Sequence, residues 1–326
     1  MRKKKKVEPI IYGLANEDYH HSEPYTEYLS SSQLKHYAIS PKAAKYAIEH
    51  PTEQTEAMRF GSLFHMAMEL YKEHGTIDAF YDAVAIFTPP INPKTEQPYG
   101  ASTKAYLEAY TQFLADNNGK EICTAEIASQ IDDMVGCAVN PSIGGSTAVQ
   151  VRKLMEWGKT EVSHFIEYEG CKFKWRPDLE TKRKIVDFKT VATSDLSEKS
   201  INNIIAKNGY DISAAFYLFM EHEQSGIWKT FYWLFVTKTP PYDAILVDAS
   251  KWTYDYDSIL DIVMPQVGAH KMRRLLDLHI KCKKENQYPG SEIFIPADDF
   301  GRRIMVANPP AWEVNNAANI IEQTYQ

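Results

Sequence analysis

Hydrophobic positions in the first half of the chain recur at the spacing typical of helices. Residues 29–50 predict two short helices separated at Ser40–Pro41, and one of the serines at positions 30–32 is expected to cap the first. A longer helix and three further helical segments follow, over residues 55–73, 102–117, 124–139 and 146–157. This half of the chain therefore predicts a helical front.

From residue 160 the hydrophobic pattern changes to the alternation typical of strands. Residues 160–170, 171–180 and 184–191 predict three consecutive antiparallel strands. A helix that ends at Gly226, two strands joined around Pro240–Pro241 and a helix over residues 251–284 complete the pattern. Strands surrounded by helices in this order predict an α/β fold.

The same pattern suggests how the chain is organised. Residues 1–28 are expected to form an irregular, basic and polar arm. Residues 29–290 are expected to form a single domain, with a helical insert over about 75–157 to which we assign no motif. Residues 291–326 are expected to be a C-terminal tail.

Composition narrows the class of protein. A chain of 326 residues with 44% hydrophobic and 24% charged residues is typical of a globular protein, and no apolar run approaches the roughly 20 residues of a membrane helix. Its four cysteines are widely spaced, which argues against a zinc or iron–sulfur site and favours a reduced, cytoplasmic setting. The net charge of −7 argues against indiscriminate nucleic-acid binding, yet residues 172–189 hold seven basic and three acidic residues.

The chemistry concentrates in this basic stretch. Asp187 and Lys189 point to the same face of their predicted strand, and paired strands lie about 4.8 Å apart, so Asp178 on the neighbouring strand can approach Asp187. Two close carboxylates favour a hard cation such as Mg²⁺ or Mn²⁺, and a lysine beside it suits phosphodiester hydrolysis. The spacing alone is equally compatible with a surface ion pair.

Five motifs together, taken in their order and spacing along the chain, give it a resemblance to a known family. "RPD", eight residues and then "DFKT" resemble the PD-(D/E)XK nuclease superfamily. "LSSSQLKHYAISPKAAKYAI", "FGSLFH", "TEVSHF" and "YDISAAFY" resemble, more narrowly, RecE-type phage exonucleases (exodeoxyribonuclease VIII) and the related RecB nuclease domain. The resemblance implies a restriction-endonuclease-like core, with a central mixed sheet, an antiparallel meander and flanking helices.

The resemblance also implies roles for individual residues. His65, Asp178, Asp187 and the backbone carbonyl of Phe188 would bind metal, Lys189 would hold and activate the attacking water, and Glu161 would assist the metal or its waters. Contacts to DNA are expected from four side chains, Lys174, Arg176, Ser213 and Tyr217. At Ser213 the family usually has glutamine, and the shorter serine side chain reaches less far toward the substrate.

The function implied is that of a Mg²⁺-dependent exodeoxyribonuclease, with Mn²⁺ as a substitute, acting on the ends of linear double-stranded DNA. The resemblance adds 5′-to-3′ polarity, a ring-shaped homo-oligomer, a single-strand annealing protein as partner in phage-type recombination, and a bacterial or phage source. Two alternatives stay open. Ser213 favours a weak or inactive DNA-binding module on the same fold, and the same metal site would also suit an endonuclease or a single-strand nuclease.

Overall fold

A computed structural model describes residues 7–253, 267–305 and 307 of the chain. Within these residues no helix combines the length and the apolar character that crossing a lipid bilayer requires. The predicted tail beyond residue 307 and the middle of the predicted helix over 251–284 lie outside the described residues.

Helices are the most frequent element of the described residues, and many begin at a residue whose side chain accepts a hydrogen bond from the first turn. Ser30 and Ser40 accept hydrogen bonds at the starts of the two front helices, with Pro41 in the first turn of the second, as predicted. The helices are Asn16–His21 (α1), Ser31–Lys35 (α2), Pro41–Glu49 (α3), Glu56–His74 (α4), Asp78–Ala83 (α5), Lys104–Asp116 (α6), Ala125–Val139 (α7), Pro141–Trp157 (α8), Glu198–Asn208 (α9), Tyr210–Ser225 (α10), Ser250–Thr253 (α11) and Val267–Glu285 (α12). Short 3₁₀ turns occupy Tyr25–Glu27, His36–Ala38 and Ser291–Phe294.

In the part of the chain that the structure describes, the strands form one mixed sheet and three smaller sheets. They are Ile10–Ile11 (β1), Val84–Ile86 (β2), Ile91–Asn92 (β3), Gln97–Pro98 (β4), Glu121–Cys123 (β5), Lys159–Thr160 (β6), Ser163–Tyr168 (β7), Cys171–Trp175 (β8), Leu179–Glu180 (β9), Lys184–Val191 (β10), Thr230–Thr237 (β11) and Ala244–Asp248 (β12). The main sheet has the order β12-β11-β10-β9-β6, with β10 and β11 parallel and its other pairs antiparallel. The mixed sheet flanked by helices confirms the predicted fold class.

The predicted meander differs from the structure in its middle strand. Residues 171–180 were expected to form one strand, but they divide into β8, which pairs with β7, and β9, which pairs with β10 in the main sheet. Pro177 lies between the two halves and has no backbone N–H to donate to a ladder. The chain therefore passes from one sheet to the other at Arg176–Asp178, next to the predicted metal ligands.

Both faces of the main sheet are covered. On one face Val186 and Phe188 of β10 pack against the buried stripe of α4 and against α7 and α8. On the other face Ile185 and Val191 pack against α9 and α10. Alternating side chains of one strand thus serve two cores, and Asp187 and Lys189 lie on the α9–α10 face.

The N-terminal segment is more ordered than the irregular arm we expected. Ile10 and Ile11 pair with β7, and residues 16–21 form α1. Tyr19 from this helix is buried against Phe165 of β7. Backbone pairing and one buried aromatic side chain therefore fix the arm on the smaller sheet.

A buried histidine lies in a third core, where α12 packs on α2 and β8. His279 shares a hydrogen bond of 2.9 Å between its Nδ1 and the Tyr37 hydroxyl, and its ring meets those of Tyr37 and Phe173 edge to face. Burial, with a smaller effect of the Lys283 charge, lowers the pKa of His279 to about 4. The neutral ring is therefore the form that the folded protein accommodates.

This histidine predicts a loss of stability in mild acid. Because the pKa of His279 is lower in the folded than in the unfolded chain, its contribution is present above the unfolded pKa of 6.5 and is lost as the pH falls toward 4. We expect the change in unfolding free energy between pH 7 and pH 5, measured by denaturant titration, to be smaller by about 2 kcal/mol in His279→Gln than in the wild type. The exposed His74 supplies the control variant His74→Gln, and equal pH dependence in all three proteins would contradict the prediction.

Candidate active site

The site forms where the pairing of β9 with β10 stops. The ladder joins Val186 to Leu179 and ends there, so Phe188 has no strand partner on that side. Instead, its N–H donates to Oδ2 of Asp178, and its carbonyl accepts a hydrogen bond of 3.0 Å from Nε2 of His65 on α4. The side chains of Asp178 and His65 thus supply the hydrogen bonds that a neighbouring strand would otherwise make. Because both bind Phe188, they lie close together.

His65 and Asp178 also contact each other. Nδ1 of His65 lies 3.2 Å from Oδ1 of Asp178, so both ring nitrogens face oxygen acceptors. Burial by itself would lower the pKa of His65, but the Asp178 carboxylate outweighs it and raises that pKa to about 9. Burial would raise the pKa of Asp178, but His65, together with Lys189 and the Phe188 N–H, lowers it overall. The pair is therefore an imidazolium and a carboxylate.

Glu161 reaches the same point from the short connection between β6 and β7. Its backbone has a positive φ of 51°, and its N–H lies 3.4 Å from the carbonyl oxygen of Asp178. His65, Glu161 and Asp178 each offer one ligand atom, and these atoms lie within 4.8 Å of one another. Burial, followed by the charge of Asp178, raises the pKa of Glu161 to about 8.

Asp187 and Lys189 form an adjacent ion pair on β10. Nζ of Lys189 lies 2.7 Å from Oδ2 of Asp187 and 5.1 Å from the ring centre of Tyr210. Burial opposes the charge of Lys189, but Asp187 and Asp178 raise its pKa overall, so the amine stays protonated. Burial is the largest cause that raises the pKa of Asp187 to about 6. Asp187 thus pairs with Lys189, whereas the close group of possible ligands consists of His65, Asp178 and Glu161.

The chemistry of these donors fits a divalent cation. Carboxylate and carbonyl oxygens are the ligands that Mg²⁺ and Mn²⁺ prefer, and an imidazole nitrogen is better suited to Mn²⁺ than to Mg²⁺. The residues available are His65, Glu161 and Asp178, with Asp187 and the Phe188 carbonyl beside them. Binding a metal would require His65 to release a proton and Glu161 to be ionised.

A second group of possible ligands, His164, Glu180 and Glu221, lies within the same limit of 4.8 Å. Here Nζ of Lys229 lies 2.9 Å from Glu180 and 3.0 Å from Glu221, so a protein cation already occupies this carboxylate pair. His164 contacts Glu180 at 3.0 Å and thereby joins β7 to β9. This group ties the two sheets together across the split strand.

The two cations predicted to contact DNA are buried. Nζ of Lys174 donates to the Tyr19 carbonyl at 2.5 Å. The Arg176 guanidinium lies 4.0 Å from the ring centre of Tyr19, donates to Ser163 and Leu14 at 2.9 and 3.1 Å, and lies 3.6 Å from Glu161. Both side chains contact residues of the N-terminal arm and so hold the arm on the sheet. Their contact with DNA stays a prediction, and it would require the arm to move.

The two predicted contacts on α10 lie on one side of that helix. Ser213 is half-buried, one turn before Tyr217. The Tyr217 hydroxyl donates to the Arg176 carbonyl at 3.3 Å, and burial raises its pKa well above the usual value. Tyr217 therefore supports the residue that precedes Pro177–Asp178, and its contact with substrate stays a prediction.

Two residues near the site were not predicted from the sequence. Glu69 lies one helical turn after His65, and burial raises its pKa, with smaller effects from Glu73, Arg176, Asp178 and His65. The spacing of four residues on α4 could have indicated it. Lys35 lies beside the site from α2, where it donates to the Asn208 carbonyl at 3.3 Å. No local signal connects α2 with β10, because only the tertiary fold brings them together.

Arg176 is expected to position Glu161 through their ion pair. Residues that support a metal ligand typically contribute about 10- to 100-fold to metal affinity, so we expect Arg176→Gln to weaken Mn²⁺ binding by about tenfold or more. Titration calorimetry with Mn²⁺ on the full-length chain measures this. The matched control is Lys172→Gln, on β8, the strand that ends just before Arg176; the Lys172 amine pairs with Glu27. A folded Arg176→Gln protein with wild-type Mn²⁺ affinity would disprove this role.

Comparison with known proteins agrees with this fold. The fold is similar to the crystal structure of a candidate exonuclease from Eubacterium rectale, with 18% sequence identity, coverage of 92% of this chain and 96% of that chain, and a TM-score of 0.50. No curated protein matches the chain. A family model, that of the PDDEXK-like domain of unknown function (DUF3799), matches residues 30–292. These matches do not distinguish the RecE type, so the narrower resemblance stays a prediction. The chain belongs to the PDDEXK-like family, and the nuclease superfamily that its motifs resemble is confirmed.

Proposed function

We propose that this protein is a divalent-metal-dependent deoxyribonuclease. The observation that carries the proposal is the convergence of His65, Glu161 and Asp178 within 4.8 Å, beside the Asp187–Lys189 pair and on a PDDEXK-like fold. Three potential ligands next to a half-buried ammonium group suit the cleavage of a phosphodiester. A binding module would have no use for carboxylates that face phosphates.

The proposed roles follow from the charges at the site. His65, Glu161 and Asp178 would hold the metal, with Asp187 and the Phe188 carbonyl close to it. When bound, a divalent cation supplies a Lewis acid for the scissile phosphate and lowers the pKa of a bound water. Lys189 stays protonated, so it acts as a hydrogen-bond donor that orients water and balances the charge developing on the phosphate. Asp187 holds that amine in place at 2.7 Å.

The finer proposal is an exonuclease that degrades linear double-stranded DNA from its ends, in the 5′-to-3′ direction, with Mg²⁺ as the physiological metal. The family resemblance supports it, as does the name of the Eubacterium rectale protein. A ring-shaped homo-oligomer and a single-strand annealing partner belong to the same proposal. An oligomer would reconcile the net charge of −7 with DNA binding, because a basic channel can face inward while the exterior stays acidic.

The lysine provides the first test. We expect Lys189→Ala to lower Mg²⁺-dependent release of acid-soluble nucleotides from linear duplex DNA by about a hundredfold or more, since a charge-stabilising donor is lost. The matched control is Lys184→Ala, an exposed lysine on the same strand, which should retain wild-type activity. Equal activity in Lys189→Ala and the wild type would exclude the proposed site, and inactivity of the wild type with both Mg²⁺ and Mn²⁺ would exclude the enzyme.

The form of the DNA provides the second test. We expect the wild-type protein to degrade a linearised plasmid and to spare the same plasmid as a covalently closed circle, because an exonuclease requires an end. Gel electrophoresis of both substrates over one time course measures this. Cleavage of the closed circle at a similar rate would replace the exonuclease with an endonuclease that uses the same residues.

A further inference from the structure

A groove of about 830 Å³ lies beside the candidate active site, between the start of α10, helix α12 and the segment that follows it. Its volume falls in the range of ligand-binding clefts, roughly 300–1,000 Å³. Neither the family resemblance nor the matched family assigns a role to it. We call it the α12 groove, defined by Ile212, Leu275, Leu278, Phe294 and the charged residues named below.

The charge of the α12 groove is opposite to that of the whole chain. Among the described residues four cations line it, Lys271, Arg274, Lys281 and Arg303, against a single lining acid, Glu285. Lys271 is held at 3.0 Å by Asp211, whereas Arg274 and Lys281 are exposed on α12. A concentration of positive charge on a protein with a net charge of −7 indicates an anionic ligand.

Between these cations the α12 groove is apolar. Ile212, Leu275 and Leu278 contribute aliphatic surface, and Phe294 presents a ring that is 50% exposed. A purely anionic ligand such as inorganic phosphate would make no use of this surface. The combination of a cationic rim, an apolar floor and an exposed aromatic ring suits a chain of phosphates that carries unpaired bases.

The position of the α12 groove relates it to the active site. Gly209 lines the groove, and the next residue, Tyr210, places its ring 5.1 Å from Nζ of Lys189. Lys35 bridges the same junction, since its amine donates to the Asn208 carbonyl and lies 6.0 Å from the Tyr210 ring centre. A polynucleotide could therefore extend from Lys189 past Tyr210 into the groove with cations along its path.

We propose that the α12 groove binds single-stranded DNA, with phosphates on Arg274 and Lys281 and bases against Leu278 and Phe294. Duplex DNA offers its phosphates but keeps its bases stacked inside, so it cannot use the apolar floor. This inference rests on the proposed nuclease function, to which it adds a path for the strand that digestion of one strand leaves unpaired.

Fluorescence anisotropy in metal-free buffer tests the groove without cleavage. The probes are a labelled oligothymidylate of about a dozen nucleotides, an abasic oligomer of equal length and a duplex of equal length. We expect Lys281→Glu and Arg274→Glu each to weaken oligothymidylate binding about tenfold and to reduce its salt dependence. Phe294→Ala should weaken oligothymidylate binding about tenfold and leave the abasic oligomer unaffected, because only bases stack on the ring.

The control is Lys153→Glu, an exposed lysine on α8, a helix that packs on the opposite face of the main sheet. It makes the same charge change and should bind like the wild type. Wild-type affinity for oligothymidylate in both groove charge variants would overturn the inference, as would tighter binding of the duplex.

Nuclease activity is assayed separately on linear duplex DNA. An inactive wild type whose oligothymidylate binding depends on the groove would refute the proposed function alone, whereas an active enzyme with groove-independent binding would refute the groove alone.

Discussion

The interruption of strand pairing beside Phe188 is the constraint on which the candidate site depends. A buried backbone N–H or carbonyl without a partner costs about 1–3 kcal/mol, so the fold must supply substitutes where β9 ends. Asp178 and His65 supply them, and each thereby acquires a fixed orientation. Two predicted metal ligands are thus positioned by a requirement of the sheet itself.

Charge compensation explains how so many ionisable groups can lie together in a buried place. His65 faces Asp178, Lys189 faces Asp187 and Arg176 faces Glu161. Pairs of this kind add little net stability, because desolvation offsets their attraction, but loss of one partner leaves a costly buried charge. A site built in this way keeps its geometry only while every partner is present.

The arm and the split strand extend this dependence beyond the site. Arg176 lies between Tyr19 of the arm and Glu161, and His164 on β7 joins the two sheets through its contact with Glu180 on β9. Two cations of the basic stretch that was predicted to contact DNA, Lys174 and Arg176, thus make internal contacts instead. The exposed cations of α12 are better placed to meet a polynucleotide, because they line an open groove next to Tyr210.

The sequence by itself determined most of the longer helices and strands, and it pointed to the residues that the fold brings together at the candidate site. Local spacing sufficed for the helix carrying His65 and for the strand carrying Asp187 and Lys189, because alternation and helical periodicity are properties of neighbouring residues. Only the tertiary structure decided that residues 171–180 divide between two sheets, that Arg176 faces inward and that Glu161 joins His65 and Asp178. These facts depend on contacts between distant segments, which leave no periodic signal along the chain.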